Sequence, residues 1–134
     1  MKYIKYLLVA VVSASVINCS QQNNVTNIDK PVVLQITKEQ KINNQLFITY
    51  SDLIEDSRCP KDVDCVWEGL GIAELEIRKD NSIKKIKIAT RDFESTNAKQ
   101  TVELDGYSYK LIDMKPYPGG EIVENMITVK IEKL

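Results

Sequence analysis

Apolar and polar residues alternate along much of this chain. Between residues 72 and 79, for example, Ala73, Leu75 and Ile77 fall on one side and charged residues fall on the other. Alternation of this kind is typical of a strand with one buried face, because successive side chains of a strand point to opposite faces. Seven segments show it: residues 31–37, 46–54, 72–79, 86–88, 102–104, 107–111 and 126–132.

Turn signals separate these segments at short intervals. Asp-Gly at residues 105–106 is typical of a tight hairpin turn, since a type I′ turn needs positive φ at both central residues. A two-residue loop at residues 81–82 would pair Ile77 with Ile86 and Leu75 with Ile88. About seven strands with frequent turns predict an all-β fold, an antiparallel β-sandwich that is immunoglobulin-like or a small barrel.

The first 18 residues combine a positively charged start with an apolar run. Lys2 and Lys5 precede this run, residues 7–12, which is too short to span a bilayer as a permanent helix. Small residues follow, and Cys19 comes directly after Asn18. The segment resembles a bacterial lipoprotein signal peptide, although Asn18 departs from the small residue usual before the cysteine. The resemblance implies cleavage before Cys19 and attachment of acyl chains, such as palmitate, to it. The alternative is ordinary secretion.

A lipidated Cys19 would make the membrane a partner of the protein without a transmembrane helix, because each buried methylene contributes about 0.8 kcal/mol. Ser20 follows the cysteine, and by resemblance to lipoprotein sorting this favours the outer membrane, on either its periplasmic or its surface side. Residues 19–30 are polar and rich in Asn and Gln, which predicts a flexible tether. The folded domain is then expected over residues 31–134.

Cys59 and Cys65 enclose five residues, and in an exported protein two cysteines this close predict a disulfide-stapled loop. Trp67, the only tryptophan, follows the pair, and we expect it to pack in the core against the disulfide. Its alternative role is a ligand platform. Gly69 and Gly71 would permit a bulge or a close chain approach where the next strand begins.

The composition argues against several functions. Histidine is absent from the sequence, which removes the commonest general base and metal ligand, and the formal net charge of −1 gives no basic surface for nucleic acid. Acidic residues crowd the cysteine pair and could bind calcium, but their spacing fits no calcium loop, so a solvated or ion-paired face is favoured. They are Asp52, Glu55, Asp56, Asp62, Asp64 and Glu68. The sequence predicts no enzyme, no cofactor and no metal.

Three tyrosines near the end of the chain could form a partly exposed aromatic group. Tyr107, Tyr109 and Tyr117 are of the residue type that is enriched at binding surfaces. Packing within a half-buried strand is the favoured alternative.

The region around the cysteines reads S-R-C-P at residues 57–60 and C-V-W-E-G at residues 65–69. It resembles a set of small bacterial lipoproteins and exported proteins that carry S-R-C-P-x4-C-x-W-x-G. The likeness extends to G-Y at residues 106–107, L-I-D at 111–113 and P-Y-P at 116–118. It implies an exported β domain with a disulfide-stapled loop, and it transfers no catalytic residue.

These features predict a lipid-anchored cell-envelope protein whose domain is a binding or interaction module for a protein or glycan partner. The alternative is an inhibitor-like module that inserts the Cys59–Cys65 loop into an enzyme cleft. That alternative requires Trp67 and the tip of the loop to be exposed. A metal-dependent enzyme built on the acidic cluster is the third hypothesis.

Overall fold

The computed structural model describes residues 28–134, and within this range eight strands form two four-stranded sheets. The strands are β1 (Val32–Gln35), β2 (Glu39–Lys41), β3 (Leu46–Asp56), β4 (Gly71–Lys79), β5 (Ser82–Ala89), β6 (Thr101–Leu104), β7 (Tyr107–Lys115) and β8 (Met126–Lys133). One sheet has the order β1-β8-β7-β6 and the other β2-β3-β4-β5, and neighbouring strands are antiparallel. The predicted all-β sandwich is confirmed, with the short polar β2 as an additional strand. No helix in the described range is long and apolar enough to cross a membrane.

The core lies between the two sheets and follows the alternation of the sequence. In β4, Ala73, Leu75 and Ile77 are at most 1% exposed, while the residues between them are half-buried. Tyr50 and Tyr109 are also fully buried, and neither hydroxyl has a hydrogen-bond partner among the described residues. Burial raises the pKa of Tyr50 to about 12 and also raises the pKa of Tyr109.

The hairpins show how closely the sequence determines register. Leu104 pairs with Tyr107 across the turn at residues 105–106, as predicted. The β4–β5 prediction is wrong by two positions, because the turn occupies residues 80–81 and Leu75 therefore pairs with Ile86. Asp80 has a φ of 51°, a left-handed conformation that Asp tolerates better than most residues. A slip of two leaves every side chain on its predicted face, since the side-chain period is two.

The amino-terminal boundary of the domain also differs from the prediction. Ile28 is partly buried and packs against the core, so the folded domain includes a residue that the sequence assigned to the tether. The predicted signal peptide (residues 1–18), the lipidation site Cys19 and the rest of the tether to residue 27 lie outside the described residues.

The sandwich has two distinct ends. At the loop end, the β3–β4 loop (residues 57–70, here the stapled loop) lies beside the β7–β8 loop (residues 116–125). At the turn end, Lys79 on β4 donates a hydrogen bond of 2.8 Å to the carbonyl of Asp105 in the β6–β7 turn. Strand β1 runs towards the loop end, because its last residue, Gln35, pairs with Met126 directly after the β7–β8 loop.

Candidate functional site

A disulfide closes the stapled loop. Cys59 and Cys65 are bonded, with their Cα atoms 5.9 Å apart, so the predicted disulfide is confirmed. The disulfide lowers the conformational entropy of the unfolded chain, and for so small a ring this stabilises the folded state by about 2 kcal/mol. Hydrogen bonds continue the β3–β4 hairpin into the base of the loop: Ser57 N–H donates to the carbonyl of Leu70 (2.9 Å), and Cys59 N–H donates to that of Glu68 (3.0 Å).

Two glycines allow close approach of the chain at this base. Gly69 has a φ of +65°, and a Cβ atom there would lie 1.7 Å from the carbonyl oxygen of Ser57. A Cβ on Gly71 would lie 2.6 Å from the Sδ atom of Met114 on β7. Only glycine fits the backbone at position 69, because both the left-handed φ and the lack of space exclude a side chain.

Arg58 joins the two loops of the loop end. Its guanidinium group donates to the carbonyl oxygens of Met114 and Pro116, both at 2.6 Å, and to both carboxylate oxygens of Asp56, at 2.7 and 2.8 Å. The Arg58 side chain is only 9% exposed, and its guanidinium carbon lies 4.9 Å from the centre of the Tyr117 ring. Bidentate pairing with a carboxylate uses the planar fork of arginine, which lysine does not have.

Trp67 does not pack in the core, and that prediction is wrong. Its side chain is 44% exposed and meets the ring of Phe93 edge-on, with the ring centres 5.0 Å apart. Arg91 lies over the Trp67 ring at 4.7 Å and donates a hydrogen bond to the carbonyl of Gly69. The reason is that the stapled loop extends beyond the last residue pair of β3 and β4, where no opposite sheet is present to cover the indole.

The three tyrosines do not form one surface. Tyr107 and Tyr109 are 8% and 0% exposed, because they alternate onto the inward face of β7 towards the turn end. Tyr117 lies at the loop end and is 46% exposed. Its hydroxyl donates a hydrogen bond of 2.9 Å to Asp113, which raises the pKa of Tyr117. The favoured interpretation, packing in a half-buried strand, is therefore confirmed for Tyr107 and Tyr109, and of the three tyrosines only Tyr117 is substantially exposed.

Two of the acidic residues near the disulfide, both at the end of β3, have individual partners. Asp56 is paired with Arg58, and Glu55 accepts a hydrogen bond from the hydroxyl of Ser57. Within residues 28–134, no three Asp, Glu, Cys or His side chains are placed to hold a metal ion.

Exposed apolar side chains concentrate at the loop end. Of the eleven large apolar side chains that are exposed in the described range, seven lie there. These seven form what we call the loop-end surface: Ile54, Val63, Val66, Trp67, Tyr117, Ile122 and Val123. Two open depressions, of about 380 and 410 Å³, lie on either side of the β7–β8 loop, and Tyr117 lines both. Ile122 and Val123 are not among the candidates predicted from the sequence, although two adjacent apolar residues outside any alternating segment are a signal of exposure in a loop.

The loop end is also strongly acidic. Residues 52–69 and 113–125 together contain nine acidic and three basic residues, a net charge of −6. At the turn end, residues 79–87 and 103–107 together contain four lysines and three acidic residues, a net charge of +1. The domain therefore combines exposed apolar groups with negative charge at one end only.

No protein-family model matches the chain, and neither does any curated protein or solved structure. The resemblance to small bacterial lipoproteins stays a prediction from the S-R-C-P-x4-C-x-W-x-G motif.

Proposed function

We propose that the protein is a lipid-anchored component of the bacterial cell envelope, placed at the outer membrane, and that its domain binds a partner through the loop-end surface. The observation that carries this proposal is the concentration of seven exposed apolar side chains on one end of the sandwich. Contiguous apolar surface on a soluble domain marks interaction sites more often than chance exposure does. The Cys59–Cys65 disulfide supports export, since such bonds persist in oxidising compartments.

The path of the chain supports a defined orientation. The chain enters β1 at Val32, opposite Val129 near the middle of β8, and runs from there towards the loop end. A flexible tether over residues 19–27 would have a root-mean-square reach of roughly 16 Å. Because β1 runs away from the turn end, an anchor at Cys19 favours an orientation in which the loop end points away from the membrane.

The rigidity of the loops supports binding. The disulfide and the four hydrogen bonds of Arg58 fix the stapled loop before any partner arrives. A preformed surface loses less conformational entropy on association than a loop that must be ordered, so its contacts give more affinity.

An inhibitor-like module remains the second candidate, and exposure of the stapled loop favours it. Val63 is 54% exposed, Val66 fully exposed and Trp67 44% exposed, as insertion into a cleft requires. The two candidates differ in the surface they use. Insertion of the stapled loop alone depends on Val66 and is insensitive to Ile122, whereas binding across the whole loop end depends on both.

Site-specific crosslinking in the living cell tests the proposal. A photoreactive amino acid is placed at Val66, at Ile122 or, as a control, at Ile83, which is exposed on β5 towards the turn end. In the bacterium that encodes the protein, we expect the two loop-end positions to give the same covalent adduct and Ile83 to give none. Adducts only from Val66 would favour the inhibitor, and equal yields from all three positions would contradict a loop-end site.

The anchor is tested separately. Metabolic labelling with an alkynyl fatty acid should mark the wild-type protein in the membrane fraction. The Cys19→Ala variant should carry no label and should no longer be recovered with the membranes. Absence of the label from the wild-type protein would contradict the proposed lipidation of Cys19.

A further inference from the structure

We infer that the partner presents a basic, apolar stretch of protein chain to the loop end, with aliphatic side chains flanked by lysine or arginine. This inference rests on the proposed function, because it identifies the chemistry of the partner that the loop-end surface binds. It depends on three observations: a groove, the charge around it, and the chemical type of the exposed side chains.

The groove lies between the end of β3 and the β7–β8 loop. Its volume is about 410 Å³, and its apolar lining includes Leu53, Tyr117, Ile122 and Val123. Ile122 is fully exposed and Val123 is 45% exposed, so both offer area that a partner would remove from water. Removing this apolar area from water favours an aliphatic or aromatic occupant.

Carboxylates lie in and near this groove. Asp56 and Glu121 are part of its lining, while Glu55, which precedes Asp56 at the end of β3, lies outside the lining. Asp56 is neutralised by Arg58, whereas Glu55 and Glu121 form no ion pair with any residue between 28 and 134. Both of these charges are therefore uncompensated at the loop end, and Glu121 would meet a cationic partner at the groove itself.

The sign of the charge excludes several envelope components as occupants. A net charge of −6 on the two loop regions repels phosphate-bearing lipid headgroups, anionic polymers and nucleic acid. A neutral glycan would stack on exposed aromatic rings, but Trp67 and Tyr117 already hold the guanidinium groups of Arg91 and Arg58 over their rings. The remaining exposed side chains are valine and isoleucine, which favour a protein segment.

The test uses the full-length lipidated protein in nanodiscs of neutral phosphatidylcholine and three fluorescein-labelled twelve-residue peptides. The peptides alternate Lys with Leu, Lys with Ser, or Glu with Leu, and binding is followed by fluorescence anisotropy at about 0.15 M salt. We expect the Lys-Leu peptide to bind at least about tenfold more tightly than either of the others. Only that peptide has both the apolar side chains that fit the groove and the positive charges that are attracted to the acidic loop end.

Charge variants locate the binding on the domain. The loop-end variant is Glu55→Gln with Glu121→Gln, and the control with the same change in net charge is Asp80→Asn with Glu103→Gln at the turn end. All four residues are exposed, so the fold is retained in both proteins. We expect the Lys-Leu peptide to bind the loop-end variant about fivefold to tenfold more weakly than it binds the wild-type protein. Its affinity for the control variant should fall by less than about twofold.

A second pair of variants tests the apolar contact. Ile122→Ser should weaken binding of the Lys-Leu peptide by about tenfold, and Ile83→Ser on β5 should leave it unchanged. Equal binding of the Lys-Leu and Glu-Leu peptides, equal losses at the two ends, or no binding of the Lys-Leu peptide would each overturn the inference. The proposed function is judged independently by the crosslinks from Val66 and Ile122, and it stands if those form to a partner segment without basic residues.

Discussion

Arg58 is the residue on which the two loops of the loop end most depend, and replacing it by alanine should destabilise the domain. The variant removes four hydrogen bonds of 2.6 to 2.8 Å. It leaves the Asp56 carboxylate, whose side chain is 20% exposed, without its cation, and leaves the carbonyls of Met114 and Pro116 without their donors. Breaking a fully buried ion pair from one side costs about 3–5 kcal/mol, and residual exposure of Asp56 places the expected loss at the lower end, about 3 kcal/mol.

Arg58→Lys is the informative companion variant. Lysine keeps the positive charge, but its single ammonium group cannot reach Asp56 and both carbonyls with the geometry of the guanidinium fork. We expect about half of the alanine effect, roughly 1.5 kcal/mol, if geometry matters as much as charge. A double-mutant cycle with Asp56→Asn then isolates the ion pair from the bonds to Met114 and Pro116.

Two probes separate local from global effects during urea denaturation. Far-ultraviolet circular dichroism follows both sheets, whereas the fluorescence of Trp67, the only tryptophan, follows the stapled loop. In the wild-type protein the two transitions should coincide, and in Arg58→Ala the Trp67 transition should come first. A loss below about 1 kcal/mol, or a lysine variant as stable as the wild type, would show that the guanidinium group of Arg58 does not hold the two loops together.

Three further outcomes are expected. Tyr109→Phe should raise the free energy of unfolding by about 1 kcal/mol, since it removes a buried hydroxyl without a partner among the described residues; a loss in urea denaturation would reveal a partner. Gly69→Ala should cost about 3 kcal/mol because of the close carbonyl, whereas Gly106→Ala, with a φ of +83° and open space around it, should cost about 1 kcal/mol. The hydrogen bond from Lys85 lowers the pKa of Glu74, so its stabilising effect is present above the unfolded-state pKa and is lost as pH falls through the folded-state pKa. In Lys85→Ala, titration by NMR should show the pKa of Glu74 closer to its ordinary value, and an unchanged pKa would contradict the assigned cause.

The sequence predicts the sheets well because strand patterning is local. Alternation identifies which residues of β4 face the core without knowledge of the partner strand, and Asp-Gly at residues 105–106 specifies its own turn. The β4–β5 register is less certain, since residues 80–81 and 81–82 are both plausible turns that place the same side chains inward. Choosing between them requires the backbone conformation of Asp80, which composition alone does not determine.

The loop end could not be predicted in the same way, because a loop has no period. The position of Trp67 depends on how far the stapled loop extends beyond the sheets and on which residues of the β5–β6 connection, here Arg91 and Phe93, come near it. Likewise, no local pattern indicates that Arg58 bonds to Pro116, fifty-eight residues away in the chain. The motif contains Arg58, the two cysteines and Trp67, but the tertiary structure is needed to show that these residues position the exposed loop-end surface.

The energetics of the stapled loop link its structure to binding. Residues 60–68 are all exposed, so burial of apolar area contributes little to ordering them, although fixing each backbone unit costs about 1–2 kcal/mol. The disulfide and the bonds of Arg58 offset that entropy from the base of the loop, where Gly69 permits the chain to close. Interactions that fix the loop without covering Val63, Val66 or Trp67 leave these side chains rigid and accessible. If the loop served stability alone, reduction of the disulfide would lower the free energy of unfolding and leave the affinity for the peptide unchanged for as long as the domain stays folded. A binding surface predicts a separate loss of affinity under conditions in which both sheets, followed by circular dichroism, stay folded.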